Sequence, residues 1–336
     1  MRRRHFITAL AAATAFVGSS LIVPVSGQAQ EAWPTKPITV IVPFNTGGYN
    51  DRLARAMTGM LQEALGQPVV VVNRPGANSL LGHSYFLQQP DDGYTLMVTS
   101  AMPFIGNNIL LNDAKFKVED FAFVNMPSRD FTFAATAVDK PYKTLGDFIK
   151  AVKENPGKLS IGVQPSSADF VNYYLLFEAL GLPQDSVRVV TYNGGGPLRS
   201  AMAGGHFDVG FIGAEGAIPQ KGLVRALTIF QAEQNPIWPE APLYKPTVTE
   251  LGGKPGSFVA GSVRGWATHA TFRQKHPDRW KKLHDALKSI SDNPKHAEAL
   301  TNQGLSPEWI GPEASTQIIA ESFELLKKHV ALLKKE

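Results

Sequence analysis

The first third of the chain alternates short apolar runs with helical patterns. Residues 38–42 are apolar or β-branched and precede Pro43, which predicts a strand that ends there. Gly47 and Gly48 then open a segment in which apolar residues recur every four positions, a spacing typical of one helix face. Gly66 follows this segment and is predicted to end the helix in a left-handed conformation.

The same pattern continues beyond this helix. Residues 69–72 are all valine, which predicts a strand in the interior of a sheet. Residues 79–88 predict a second helix, and residues 94–99 predict a third strand. A chain that alternates strand and helix in this order is typical of a parallel sheet covered by helices.

The middle of the chain repeats this plan with different residues. Strands are predicted over residues 159–163, 187–191 and 207–212, and two helices separate them. Pro197 is expected at the first position of the second helix, where its missing N–H has no intrahelical partner to lose. Two such units in one chain predict two α/β domains.

Three further segments suggest how the domains are connected. Residues 121–138 contain two β-type runs with no helix between them, as expected where a chain leaves one domain for the next. A stretch rich in proline and glycine, 236–256, predicts an irregular return path. A strand over residues 263–269 and three helical patterns then complete the chain. The predicted domain 1 is discontinuous, and domain 2 is inserted into it: residues 30–136 plus 258–336, and residues 137–257.

Residues 1–29 are predicted to form an export signal that is cleaved near Ala29. Arg2, Arg3 and Arg4 precede an uncharged stretch, and small residues flank the cleavage site. Arg3 and Arg4 have the spacing of a twin-arginine signal, so the general secretory route and the twin-arginine route both stay open. Either route predicts export to the periplasm of a bacterium.

Composition narrows the class of protein. The chain has 336 residues, of which 43% are hydrophobic and 18% charged, as in a soluble globular protein with one large or two ordinary domains. It has no cysteine, which excludes disulfide scaffolds and cysteine nucleophiles. Without the three N-terminal arginines the net formal charge falls from +4 to +1, so no basic excess remains for nucleic acid.

Three predicted strand-to-helix turns carry hydrogen-bond donors. In a parallel α/β sheet these turns gather at one edge, where helix N-termini present free N–H groups that attract anions. The turns are residues 47–51 with two glycines, 165–169 with two serines, and 193–197 with three glycines. Helix capping is the competing interpretation for each turn alone. Their coincidence in one chain predicts a shared cleft for an anion.

Several other residues are weaker candidates. Glu215 follows a predicted strand, and it either faces the cleft or caps the next helix. Arg264 lies in a neutral stretch, where it either clamps a carboxylate or forms a structural ion pair. Ser100, directly after the third predicted strand, is a further candidate for ligand binding. The usual hydrolase, metalloprotease and nucleotide-loop motifs are missing, and His83 and His269 are expected to be packed or solvated.

Longer sequence segments resemble the Bug family, the extracytoplasmic solute-binding proteins of tripartite tricarboxylate transporters. The resemblance covers nearly the whole chain after the predicted signal and keeps its order. The segments that carry it are 33–38 (WPTKPI), 42–48 (VPFNTGG), 66–77 (GQPVVVVNRPGA), 92–96 (DGYTL), 192–197 (YNGGGP), 204–209 (GGHFDV), 225–227 (RAL) and 264–265 (RG).

The resemblance implies a two-domain α/β fold of the periplasmic-binding-protein type (type II), with mixed, mainly parallel sheets and a hinge. It also implies a cleft that holds a small carboxylate through the loops of both domains. Together with the bottom-up candidates, the predicted ligand-binding residues are Phe44, Thr46, Gly47, Gly48, Tyr49, Asn50, Asp51, Ser100, Ser166, Ser167, Asn193, Gly195, Gly196, Glu215 and Arg264.

The chain departs from the pattern of the family at three places. Tyr49 and Asn50 stand where a glycine and a small hydroxyl residue are usual, and Asp169 follows the serine pair where a histidine is usual. Residues 212–222 are shorter than in the family. Tyr49, Asn172 and Tyr173 lead to the hypothesis of an aromatic carboxylate. Asp51 is expected to cap its helix or order water, since its charge would repel a carboxylate.

The predicted protein is a periplasmic solute-binding protein that captures a di-, tri- or aromatic carboxylate and delivers it to the permease subunits of a tripartite tricarboxylate transporter. We expect a monomer with no cofactor, no metal and no catalysis. Two alternatives stay open. A ligand-presenting partner of a membrane histidine kinase would share the cleft, whereas an exported hydrolase would need a base beside Ser166 or Ser167.

Overall fold

A computed structural model describes residues 32–259 and 261–333 and contains two five-stranded sheets. The predicted export signal, residues 1–29, lies outside the described residues. Both sheets belong to one compact unit that begins at Pro34. No helix in the described part of the chain has the length and apolar character needed to cross a bilayer.

The first sheet has the strand order β2-β1-β3-β10-β4. β1 pairs in parallel with β2 and β3, whereas β10 is antiparallel to β3 and β4. Together with the helices that precede β4 and those that follow β10, we call it the first lobe. Its strands are β1 (Ile38–Val42), β2 (Val69–Asn73), β3 (Thr95–Met102), β4 (Phe121–Asp130) and β10 (Ser262–His269).

The second sheet has the strand order β7-β6-β8-β5-β9. β6 pairs in parallel with β7 and β8, and β5 is antiparallel to β8 and β9. With the helices that lie between β5 and β10 in the chain, it forms the second lobe. Its strands are β5 (Thr132–Ala137), β6 (Ser160–Val163), β7 (Arg188–Thr191), β8 (Val209–Gly213) and β9 (Val224–Ile229). The predicted mixed α/β fold is confirmed. Mainly parallel sheets were expected, whereas the described sheets contain parallel and antiparallel strand pairings in equal number.

Helices cover both sheets, and their buried apolar side chains pack against those of the strands. The helices of the first lobe are α1 (Tyr49–Leu65), α2 (Leu80–Leu87), α3 (Phe104–Leu111), α8 (Ala270–Lys275), α9 (Pro277–Asp292), α10 (Pro294–Thr301) and α11 (Gly311–Leu333). Those of the second lobe are α4 (Leu145–Glu154), α5 (Ala168–Ala179), α6 (Gly195–Ala203) and α7 (Tyr244–Glu250).

The structure corrects several expected elements. β2 lies at the edge of its sheet and Val70 is half exposed, so its run of valines does not mark a sheet interior. α6 begins at Gly195, which makes Pro197 the third helical residue rather than the first. The proline- and glycine-rich stretch contains α7, and four helices follow β10 where three were expected. By contrast, α1 ends as predicted, with Gly66 at a φ of 72°.

The two lobes are linked by chain crossings that lie side by side. Only Phe131 separates β4 of the first sheet from β5 of the second. The chain returns to the first sheet at Ser262, which pairs with Asp130. Farther on, Leu326 of α11 packs into the core of the second lobe. The domain boundaries 30–136, 137–257 and 258–336 stay a prediction.

Candidate ligand-binding site

Two adjoining cavities lie where the lobes meet. The outer cavity has a volume of about 420 Å³, and the inner cavity has a volume of about 40 Å³. Both are lined by Phe44 and Asn45 of the first lobe and by Gln164 and Gly194 of the second. The predicted turns therefore contribute to one continuous cleft.

The N-termini of α1 and α6 face each other at the inner cavity. Gly48 precedes α1 in an extended conformation, and Gly194 precedes α6. A Cβ atom on Gly196 would lie 3.5 Å from the carbonyl oxygen of Thr46 and 3.6 Å from the amide nitrogen of Gly48. The amide of Asn45 also donates a hydrogen bond to the carbonyl oxygen of Asn193. Two helix dipoles from different lobes thus point their positive ends at the same space.

Asp51 stabilises the first turn. Its carboxylate accepts hydrogen bonds from the amide of Gly47 at 2.9 Å, from Arg55 Nε at 2.9 Å and from Asn73 Nδ2 at 3.0 Å. These contacts fix the turn before α1, and none of the three is to a free amide of the helix itself. Thr46, Gly47 and Asp51 shape the loop and do not line either cavity.

Asn50 and Ser100 face the inner cavity together. Asn50 Nδ2 donates to Ser100 Oγ at 2.9 Å, and both residues line the cavity. Asn50 is buried, and no hydrogen bond reaches its Oδ1 from any described residue. This pair therefore has an acceptor at the cleft, Asn50 Oδ1, that no described residue uses.

The serine turn contacts the first lobe without lining the described cavities. Ser167 Oγ accepts from the amide of Phe170 at 3.1 Å and donates to the carbonyl of Gln164 at 2.7 Å, so it is a helix N-cap. Ser166 has a φ of 54° and accepts hydrogen bonds from Asn78 and Asn107 of the first lobe. Neighbouring side chains of the same turn line the cleft in their place.

Arg264 forms a buried ion pair with Asp130. Its guanidinium carbon lies 4.7 Å from the ring centre of Tyr49, and Asp130 also accepts from the amide of Glu215 at 2.7 Å. Arg264 lines the inner cavity, as does Tyr49. The structural ion pair, which is one of the two roles predicted for Arg264, is therefore present. The ring of Tyr49 packs against the same guanidinium group.

Glu215 joins the two lobes and lines neither cavity. Its carboxylate accepts hydrogen bonds from Ser128 Oγ and Ser306 Oγ at 2.5 Å each, and from Tyr49 Oη at 3.3 Å. Burial, aided by the charge of Asp130, raises the pKa of Glu215. Burial also raises the pKa of Tyr49, which keeps its hydroxyl protonated as a donor.

Two charged side chains of the inner cavity were missed in the sequence. Arg199 lies in α6, one turn after the glycines, and Asp169 lies two residues after the serine pair. Burial lowers the pKa of Arg199 to about 10 and raises that of Asp169 to about 6. One sequence signal could have identified both residues: each is a charged residue within the first turns of a helix that begins at a predicted cleft.

The structure places other candidates in the core. Asn172 exchanges hydrogen bonds with the backbone of Val259, and Tyr173 is fully buried, so neither supplies the expected aromatic or polar contact in the cleft. His83 bonds Thr99 at 2.8 Å, and burial lowers its pKa to about 3. His269 bonds the carbonyl of Phe86 at 2.9 Å. Both histidines are packed.

The fold and the cleft define a two-lobed binding protein of the periplasmic-binding-protein type. The sequence profile described as "Tripartite tricarboxylate transporter family receptor" matches residues 53–335. A Cupriavidus necator protein named "UPF0065 protein in gbd 5'region" is 30% identical, and the match covers 100% of this chain and 98% of that protein. The chain therefore belongs to the tripartite tricarboxylate transporter receptor family.

Two solved structures have the same fold. One is MatC (Rpa3494) from Rhodopseudomonas palustris with bound malate, with a TM-score of 0.74 and 23% identity, covering 89% of this chain and 100% of its own. The other is R. palustris Rpa4515 with adipate, with a TM-score of 0.77 and 22% identity, covering 90% of this chain and 98% of its own. The predicted fold class and the predicted family are confirmed.

Proposed function

We propose that this protein is a periplasmic receptor that captures a small organic carboxylate between its lobes and delivers it to the permease of a tripartite tricarboxylate transporter. The observation that carries the proposal is the meeting of the α1 and α6 N-termini at one cavity. Free N–H groups and aligned peptide dipoles at both ends favour a negatively charged guest. Residues 1–29 are proposed as the export signal.

The two cavities suggest how a dicarboxylate is held. The inner cavity offers room for a carboxylate or about three waters, since each water needs roughly 10–15 Å³. The outer cavity accommodates the rest of the ligand among neutral side chains, including Asn45, Asn78 and Gln164. The malate and adipate held by the two R. palustris proteins support a dicarboxylate.

The proposal includes aromatic acids as ligands, although fewer residues support them than the sequence analysis suggested. Phe44 lines both cavities, and its ring packs edge-on against Phe104 at a centroid distance of 5.1 Å. This edge supplies an apolar surface for the body of a ligand. A hydrolytic role has less support, because Ser167 Oγ is used as the N-cap of α5 and Ser166 Oγ accepts a hydrogen bond from Asn78.

The test is a binding screen on the purified protein by thermal shift and titration calorimetry. The panel holds aliphatic di- and tricarboxylates, benzoate and nicotinate, with uncharged amides of the same acids as controls. We expect at least one acid to bind with one ligand per chain while its amide does not. Gly196→Val, which fills the space between the helix N-termini, should weaken binding more than tenfold.

Gly256→Val is the matched control, since a Cβ at Gly256 meets no atom within 4 Å. Absence of binding by every acid, or equal loss in both variants, would contradict a carboxylate receptor. A pull-down from membranes with and without the bound acid then separates a permease from a histidine kinase as the partner.

A further inference from the structure

Arg199 and Asp169 line the inner cavity with hydrogen-bonding capacity that the described residues do not use. Arg199 is only 5% exposed and Asp169 only 8% exposed, so each has lost most of its water. A buried charge without partners is costly. Side chains of this kind at a cavity indicate that a ligand supplies the missing partner.

Arg199 has one hydrogen-bond acceptor among the described residues. Its Nη2 donates to the carbonyl oxygen of Gly47 at 3.3 Å, whereas its guanidinium has five N–H groups. No carboxylate in the described ranges lies within ion-pair distance of it, and Asp130 is paired with Arg264 instead. Glycines make room for the guanidinium: a Cβ on Gly195 would lie 2.8 Å from Nη1, and one on Gly216 would lie 2.9 Å from it.

Asp169 has one satisfied oxygen and one that is free. Oδ1 accepts from Thr132 Oγ1 at 2.6 Å, and no side chain or amide of the described residues donates to Oδ2. Its pKa of about 6, raised by burial, leaves the carboxylate ionised at neutral pH. Arg199, with a pKa of about 10, is cationic under the same conditions.

We propose that Arg199 and Asp169 select the ligand: Arg199 binds a carboxylate, and Asp169 accepts a hydrogen bond from a hydroxyl or ammonium group on the neighbouring carbon. The inference rests on the proposed carboxylate-binding function. The inner cavity, at about 40 Å³, is too small for distant groups, so both partners come from one end of the ligand. The substrate class is therefore the 2-hydroxy or 2-amino acids.

An unsubstituted diacid is disfavoured by the same arrangement. It satisfies Arg199 but brings its negative charge near Asp169 with no donor between them, and like charges in a desolvated site repel. Selectivity then arises as much from rejection of the plain acid as from attraction of the substituted one.

The experiment measures the affinities of succinate, malate and aspartate by calorimetry at neutral pH. The three acids share a four-carbon skeleton and differ in having no donor, a hydroxyl or an ammonium group. The wild-type protein should bind malate or aspartate at least tenfold more tightly than succinate, the difference expected for a charge-assisted hydrogen bond.

Two substitutions should change this pattern differently. Asp169→Asn removes the repulsion and the charged acceptor, so succinate should bind more tightly, the favoured acid more weakly, and the ratio should fall about tenfold. Arg199→Gln should weaken all three acids at least tenfold and leave their ratio unchanged. The exposed residues Arg188 and Asp185 provide the matched controls Arg188→Gln and Asp185→Asn, which should change neither.

The outcomes separate this inference from the function on which it rests. Equal wild-type affinities for the three acids, or a uniform loss in Asp169→Asn, would overturn the selectivity pair and leave a carboxylate receptor standing. If no acid in the wider panel binds, both fall. The wild-type ratio needs no variant, so the inference stays testable even if a substituted chain does not fold.

Discussion

At the scale of single residues, Gly213 shows how tightly the buried ion pair is packed. A Cβ at this position would lie 1.9 Å from Asp130 Oδ2, whose carboxylate is held by Arg264 and the amide of Glu215. Gly213→Ala should therefore lower the free energy of unfolding by about 1–3 kcal/mol, the usual cost of overpacking. Urea denaturation measures it.

The control for this prediction is Gly59→Ala in α1, where a Cβ meets nothing within 4 Å. This change should raise the stability by up to about 1 kcal/mol through helix propensity alone. Equal effects of the two substitutions would mean that the carboxylate of Asp130 is free to move.

Asp169 makes stability depend on pH in a predictable direction. Burial raises its pKa from 3.8 to about 6, so the folded state binds the proton more readily than the unfolded state does. The contribution of this group to stability is thus present below about pH 4 and is lost as the pH rises through 6. Asp169→Asn removes that loss and still lets Thr132 donate its hydrogen bond.

At pH 7 the Asp169→Asn variant should be more stable than the wild type by up to about 3 kcal/mol, and near pH 4 the difference should vanish. Urea unfolding of both proteins across this range is the measurement, with exposed Asp185→Asn following the wild-type curve. A difference that does not change with pH would rule out the titration of Asp169 as its cause.

The sequence located the loops of the candidate site better than the side chains that are proposed to bind the ligand. Glycines at Gly48 and Gly195 mark a helix start that needs close approach, and the structure brings both to one cavity. Arg199 and Asp169 were not predicted as ligand-binding residues, because a charged residue near a helix start is equally typical of a solvated surface. Both side chains are buried in the folded protein, which the sequence pattern does not indicate.

At the scale of elements, the residue composition predicted where strands lie along the chain. It did not predict the order of these strands in the sheet. β2 looks like an interior strand because four of its five residues are valine, yet it occupies an edge. α3 was missed because Gly106, Asn107 and Asn108 are poor helix formers. Tertiary contacts compensate: Asn107 donates to Ser166 of the other lobe, and Asn108 donates to the carbonyl of Asn78.

At the scale of the whole molecule, Glu215 fastens the second lobe to the first. Ser128, Ser306 and Tyr49 belong to the first lobe, and all three donate to this one carboxylate. Glu215→Ala should favour a more open arrangement and increase the radius of gyration in small-angle X-ray scattering of the ligand-free protein. The substitution removes the carboxylate to which all three hydroxyl groups donate. In the open form these hydroxyl groups form hydrogen bonds with water more readily.

Exposed Glu240→Ala is the matched control and should leave the scattering curve unchanged. The open Glu215→Ala protein should also bind its acid more weakly, because part of the binding energy is then used for closure. An unchanged radius of gyration together with unchanged affinity would assign Glu215 to local packing.

The two chain crossings between the lobes lie side by side, because Asp130 at the end of β4 pairs with Ser262 at the start of β10. Adjacent crossings of this kind are the place where a hinge rotation between the lobes would occur. The ion pair of Asp130 with Arg264 joins β4 to β10 directly beside this crossing. Since Arg264 also lines the inner cavity, one buried charge pair connects the place where the chain passes between the lobes with the place proposed for the ligand.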